Sequence, residues 1–236
     1  MLLIGPGNDI NCVMCEDSQD FEAECARMVA QQISDRGIHD ANLLSAMREV
    51  PRHRFVEGLY QKLAYSDAPL PIPAQQTISQ PYIVAFMISE LKLGPGDVVL
   101  EVGTGSGYAA AILSLLASRV ITIERHSQLI DFAQERLTQL GYENVEVIQG
   151  DGTLGYQLYA PYDGIMVSAG GPRVPQSLQN QLAVGGRLVM PVGRNRRRQQ
   201  LIRVTRISEG EFTQKSLGPV AFVPLIGREG WGSKRG

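Results

Sequence analysis

Nowhere in the 236 residues does an apolar run approach the roughly 20 needed for a membrane-spanning helix. An excess of one charge is missing too. Lys and Arg number 22 against 24 Asp and Glu, so the net charge of −2 gives no global argument for nucleic acid or an anionic membrane as partner. Cysteine is scarce. Cys12 and Cys15 form a C-x-x-C, but no second pair accompanies them and the nearest histidine is His39, which speaks against a metal site. The pair also lacks the strand-then-helix setting of a redox motif, so it reads as ordinary thiols. The N-terminus, MLLIGPGNDI, has no basic stretch leading into a long apolar one, so no secretory signal is expected and the expected location is cytoplasmic. What remains, 44% hydrophobic and 19% charged residues, is the balance of a soluble globular chain.

That length suits one α/β domain with short additions. Residues 1–18 show no periodicity and read as an N-terminal extension. A single domain is expected over 19–236: a helical cap (19–75), a ligand-binding core (76–193) and a C-terminal hairpin (194–226). Phe21, Ala23, Cys25, Met28, Val29 and Ile33 recur at helical spacing, and Gly37 ends that helix. Asp40 is placed to cap a second helix, which buries Leu43, Leu44, Met47 and Val50 and stops at Pro51. Pro69, Pro71 and Pro73 force extended or loop structure, and Pro81 suits the first turn of a helix reaching Leu91.

Beyond Leu91 strands and helices alternate. The strands are Val98–Val102, Val120–Ile123, Val145–Ile148, Ile165–Val167 and Arg187–Met190; helices are expected over Gly107–Ser118, Ser127–Leu140 and Pro175–Leu182. This predicts a doubly wound, mostly parallel sheet. Leu201–Ile207 and Phe212–Val223 leave no room for a crossover helix, so an antiparallel hairpin closes one edge and brings the sheet to seven strands. Arg194–Arg198 is a basic run without interleaved aromatics and reads as a solvated hairpin loop.

Chemistry concentrates in Glu101-Val-Gly-Thr-Gly-Ser-Gly107, between a strand and a helix. Gly103, Gly105 and Gly107 let a backbone approach a ligand closely, and Thr104 and Ser106 sit between them. At the carboxyl end of the first strand of a doubly wound sheet, such a loop faces the ligand crevice. A tight turn with no ligand is the plainer alternative. The dinucleotide fingerprint G-x-G-x-x-G does not fit, because Tyr108 stands where its last glycine belongs. An acid before the loop would also repel a pyrophosphate, whereas it would favour a cationic amino-acid ligand. Glu124 closes the second strand at the distance from which an acid holds ribose hydroxyls. Asp151, followed by Gly152, closes the third and could accept from an adenine amino group.

Together these resemble class I S-adenosylmethionine-dependent methyltransferases. Thr77-Ile-Ser-Gln-Pro81, Gly150-Asp-Gly152, Ala160-Pro-Tyr-Asp163, Gly185-Gly-Arg-Leu188, Pro191-Val-Gly193 and Phe222-Val-Pro-Leu225 occur in order. In that order they resemble the protein-L-isoaspartate O-methyltransferase family over about residues 20–226. Gly170-Gly171 departs from the alanines frequent there, and the first 18 residues have no recognised counterpart. The resemblance implies transfer of a methyl group from S-adenosyl-L-methionine to the free carboxylate of isoaspartyl residues in damaged proteins, with S-adenosyl-L-homocysteine as product. Isoaspartyl peptides and proteins are then the partners, with no nucleic acid and no membrane, and a monomer is favoured. A class I methyltransferase acting on a small molecule or nucleic acid is the alternative.

That reaction asks little of the protein. A side-chain carboxylate, with a pKa near 4, is already ionised at neutral pH, so no general base is required. Holding oxygen, methyl carbon and sulfur in line is the main task. The resemblance marks Ser79 as the catalytic residue, donating a hydrogen bond that orients the carboxylate; helix capping is its plainer alternative. By the same resemblance Gln76, Thr77 and Ile78 form a lip over the cofactor. Phe222 and Val223 then read the substrate backbone from an edge strand able to pair with a peptide.

Overall fold

The computed structural model describes residues 21–195 and 198–232. The N-terminal extension and the Cys12–Cys15 pair lie outside them, as does part of the basic run 194–198. Five strands are parallel neighbours: β3 (Val98–Val102), β4 (Arg119–Glu124), β5 (Val145–Gln149), β6 (Tyr162–Val167) and β7 (Leu182–Asn195). β8 (Arg198–Ser208) and β9 (Glu211–Val220) follow antiparallel, giving the order β5-β4-β3-β6-β7-β8-β9. The expected edge hairpin is thus a meander. A separate two-stranded ribbon, β1 (Leu70–Ile72) with β2 (Gln76–Ile78), forms in the proline-rich stretch.

Alternation along the strands sorts their side chains onto two faces. Val99, Val120, Met166 and Val189 pack into one apolar layer; Leu100, Ile121, Ile165 and Leu188 pack into the other. The first layer is covered by α1 (21–36), α2 (Ala41–Glu49), α3 (Pro81–Leu91), α4 (Tyr108–Ser114) and α5 (Ser127–Gln139). The second includes Leu178 of the short α6 (Gln176–Asn180). By the same period of two, Glu101, Thr122 and Glu124 share the first face, and Glu101 is directly opposite Thr122 in the β3–β4 register.

Local chemistry accounts for most boundaries. Asp40 accepts from Leu43 N at 3.1 Å and caps α2, as its position predicts. Gly37, at φ 92°, ends α1, whose Met28–Ile33 turn is wound as a π-helix, and Ala23 is exposed rather than packed. Pro81 opens α3, but its N-cap is Gln80, and Ser79 makes no capping bond. α4 ends at Ser114, short of the expected Ser118. There Nδ2 of Asn144 donates to the carbonyls of Ser114 (2.9 Å) and Ala117 (3.2 Å), closing the chain as a turn. β7 extends past the expected Arg187–Met190 at both ends, and because it begins at Leu182 the helix expected to reach that residue stops at Asn180.

Candidate active site

A cleft opens at the carboxyl ends of β3, β4 and β6, where the strand order reverses, the place where doubly wound sheets bind ligands. It encloses about 1000 Å³ of empty space, its open mouth included. Gly107 makes its floor possible. It holds φ 88° at the start of α4, and a Cβ there would stand 3.3 Å from both Ala133 Cβ and Leu137 Cγ of α5. Gly107 therefore shapes the loop without lining the cleft. Gly103, Thr104, Gly105 and Ser106 line it directly.

Above the loop lies the β1–β2 ribbon, close enough that Ile72 Cδ1 would meet a Cβ on Gly105 at 3.4 Å. The ribbon hangs Gln76, Thr77, Ile78 and Ser79 over the cleft, and all four line it. Its turn places two non-glycine residues, Ala74 and Gln75, at φ 56°. It is pinned by Gln76 N donating to Pro73 O at 3.2 Å and by the Gln76 side chain donating to Ala74 O at 3.1 Å.

Two acids occupy the cleft floor. Glu101 is buried, and its carboxyl accepts from Thr122 Oγ1 at 2.7 Å; Thr122 Oγ1 in turn lies 2.6 Å from Thr104 Oγ1. Burial, aided by the neighbouring Glu124, pushes the Glu101 carboxyl up to about 8 against the pull of the Thr122 hydroxyl. No cation pairs with it among the described residues. Glu124 braces the loop: Oε2 accepts from Gly105 N at 3.1 Å, while Oε1 accepts from Arg125 N at 2.8 Å and His126 N at 3.1 Å. Asp151 has a different setting. Oδ1 accepts from Thr153 N (3.0 Å) and Thr153 Oγ1 (2.7 Å), Oδ2 accepts from Arg228 N (2.7 Å), and the residue does not line the cleft, although Gly152 does.

A second groove adjoins the first. The two share Thr77, Ser79, Ser168 and Val223, while Phe222 lines the second alone. At this junction the Ser79 hydroxyl has no hydrogen-bond partner among the described residues. Phe222 and Val223 are not on the edge strand, because β9 ends at Val220. The Phe222 N–H donates to Gln199 Oε1 at 2.8 Å and its carbonyl accepts from Gln199 Nε2 at 3.0 Å. Val223 O accepts from Gly170 N at 2.8 Å. The backbone groups once expected to pair with a peptide are thus largely spent on the protein itself. Gly170 makes room for this arrangement, since a Cβ would fall 2.3 Å from Gln199 Nε2 and push its amide off Phe222. Of the glycine pair that departs from the family's alanines, Gly170 has its reason here.

Sequence reasoning missed several groups. Thr122 was visible only as a strand residue, yet register sets it against Glu101. Ser168, Leu225 and Ile226 line the cleft from segments distant in sequence. Arg52, which directly follows Pro51, carries no signal of its own in the sequence; it donates to Ser79 O at 2.7 Å.

The model of the family described as protein-L-isoaspartate(D-aspartate) O-methyltransferase matches residues 23–230. A Rhodopseudomonas palustris protein named protein-L-isoaspartate O-methyltransferase is 54% identical over 204 residues, which cover 86% of this chain and 94% of that protein. Protein-L-isoaspartate O-methyltransferase 2 of Pelobacter propionicus is 52% identical over 222 residues, covering 94% and 97%. A solved structure of a protein-L-isoaspartate O-methyltransferase superposes with a TM-score of 0.79 at 27% identity, over 89% of this chain and 67% of that one. With the glycine loop, the acid pair and the Thr77-Ile-Ser79 lip all within the matched span, the chain belongs to the protein-L-isoaspartate(D-aspartate) O-methyltransferase family.

Proposed function

We propose that this chain transfers the methyl group of S-adenosyl-L-methionine to the free carboxylate of L-isoaspartyl residues in damaged proteins, releasing S-adenosyl-L-homocysteine and initiating repair. The observation that carries the proposal is the position of Ser79, its hydroxyl unspent, where the acid-floored cleft meets the adjoining groove.

The cleft's chemistry fits the donor. Glu101 is a buried acid without a counter-charge among the described residues, which a cationic amino-acid moiety would supply. When bound, S-adenosylmethionine supplies a methyl carbon made electrophilic by its sulfonium charge. Gly103, Thr104, Gly105, Ser106 and Gly152 offer backbone for close approach, Glu124 offers oxygens to hydroxyls, and Gln76, Thr77 and Ile78 cover the opening. Gly107 sets the loop's conformation. Asp151 supports the adenine end through its hold on Thr153 and Arg228, a less direct part than its position in sequence suggests.

On the substrate side, Ser79 donates a hydrogen bond to one carboxylate oxygen and holds the other toward the methyl group. It is an orienting catalytic residue, not a covalent nucleophile. Because an anion meets a cation and charge vanishes, exclusion of water by the lip favours the step. Phe222 and Val223 serve as groove wall. The groove's lining carries one charged side chain, Arg36, whereas a nucleic-acid track would array several cations, so a peptide is the better occupant. We read the enzyme as a cytoplasmic monomer. The proposal is tested by incubating the protein with labelled donor and an isoaspartyl peptide: label should enter as a base-labile ester. Donor binding without transfer would instead favour a methyltransferase for a small molecule or nucleic acid.

A further inference from the structure

Pro51 stops α2, and the single turn Arg52–Phe55 that follows carries Arg52 into the interior, where its side chain has no exposed surface. Nε donates to Ala64 O at 2.7 Å and Nη2 donates to Ser79 O at 2.7 Å. The guanidinium carbon stands 4.7 Å from the centre of the Tyr108 ring. Nη1 is buried and donates to nothing among the described residues. Nor does any carboxylate pair with the group there; the nearby Asp67 is bound to Arg36 at 2.7 Å. Arginine keeps its proton in proteins, so this is a cation buried without an ion-pair partner among the described residues. Such a group is costly to keep, and a structural link between two carbonyls could be made by a neutral donor. Its placement suggests what the group is for. It holds the main chain of Ser79, the residue at the junction of cleft and groove.

We infer that Arg52 is a positioning residue for methyl transfer: it fixes the Ser79 backbone so that the hydroxyl faces the groove where an anionic acceptor would enter. This rests on the carboxylate reading above. Arginine suits this role, because its fork spans two carbonyls that a lysine ammonium, a single point donor, would not reach together. Tyr108, also buried, supplies an aromatic face in place of a counter-ion.

The test compares wild type, Arg52→Met, Arg52→Lys, Ser79→Ala and the Arg52→Met/Ser79→Ala double variant. Donor affinity is measured by calorimetry, melting by circular dichroism, and kcat and KM with an isoaspartyl peptide. Arg52→Met should stay folded and hold the donor within about threefold, yet lose on the order of 100-fold in kcat/KM, with peptide KM rising. Arg52→Lys, which keeps charge but not the fork, should fall between it and wild type. The double variant should lose less than the product of the two single losses, since one residue acts through the other. Wild-type kinetics in a folded Arg52→Met would overturn the inference while leaving the proposed activity standing. If Arg52→Met does not fold, Arg52→Lys decides: a tenfold or greater loss at unchanged donor affinity supports positioning, and full activity overturns it. Failure of both variants to fold would also overturn it, assigning Arg52 to the scaffold alone. Failure of wild type to methylate the peptide would refute the carboxylate reading itself.

Discussion

Gln199 grips Phe222 at both ends of one residue, its Oε1 accepting from Phe222 N at 2.8 Å and its Nε2 donating to Phe222 O at 3.0 Å. The side chain thereby imitates a strand partner just where β9 has ended, and it is itself buried. Replacing it by leucine leaves two half-buried backbone groups without these partners. Gln199→Leu should lose about 1–3 kcal/mol of stability in chemical denaturation. It should also raise peptide KM several-fold while donor affinity stays close to wild type. Gly170→Ala attacks the same contact from the other side and should destabilise by about 1–3 kcal/mol through overpacking.

Ala74 and Gln75 hold left-handed backbone without being glycine. Such conformations cost about 1 kcal/mol or more per residue. Gln75→Gly should therefore raise stability by about 0.5–1 kcal/mol, read as a higher melting temperature. If melting falls instead, the Gln75 side chain contributes more than its backbone loses.

Glu101 carries a pH signature. Its folded-state value, about 8, lies above the ordinary 4.5, so the folded protein without ligand holds this proton more tightly than the unfolded chain does. The associated destabilisation is absent below about 4.5, grows as pH rises toward 8, and levels off above it. A cationic donor prefers the ionised acid. Donor affinity should therefore rise with pH up to about 8, with proton release on binding at pH 7, visible as a buffer-dependent calorimetric heat. Glu101→Gln should abolish the proton release and weaken binding by on the order of 10- to 100-fold. Thr122→Val, which removes the hydroxyl that stabilises the ionised form, should shift the affinity curve to higher pH.

Ser79 and Ser168 are the two serines common to both grooves. Ser79→Ala should lower kcat by on the order of 100-fold with donor affinity within about threefold. Ser168→Ala should cost less, about tenfold, because Arg52 supports only Ser79. Equal losses would make the two serines equivalent.

What could be read in the sequence was whatever depends on neighbours along the chain. Asp40 caps a helix three residues on, Pro81 opens one, and the run Val98–Val102 ends in its glycines; each is a local matter, and each appears in the structure. The glycine loop and its acids were legible because strand ends in a doubly wound sheet converge on one cleft. Partners were not. Asp151 looks like a ligand-facing acid until Arg228, 77 residues later, donates to it. Phe222 looks like an edge-strand residue until a glutamine from β8 takes both its backbone groups. Arg52 sits in a stretch with two other basic side chains, and nothing local says which of them turns inward. Each of these depends on packing between segments far apart in sequence.

The most direct measurement is a paired methylation assay on two synthetic peptides of one sequence, one with L-isoaspartate and one with L-aspartate at the same site. The two differ only in whether a methylene lies in the backbone or the side chain, so neither charge nor composition can separate them. Rapid label transfer to the isoaspartyl peptide and little to its aspartyl twin is the expected result. Equal labelling of both, or labelling of neither by a protein that binds S-adenosylmethionine, would contradict it.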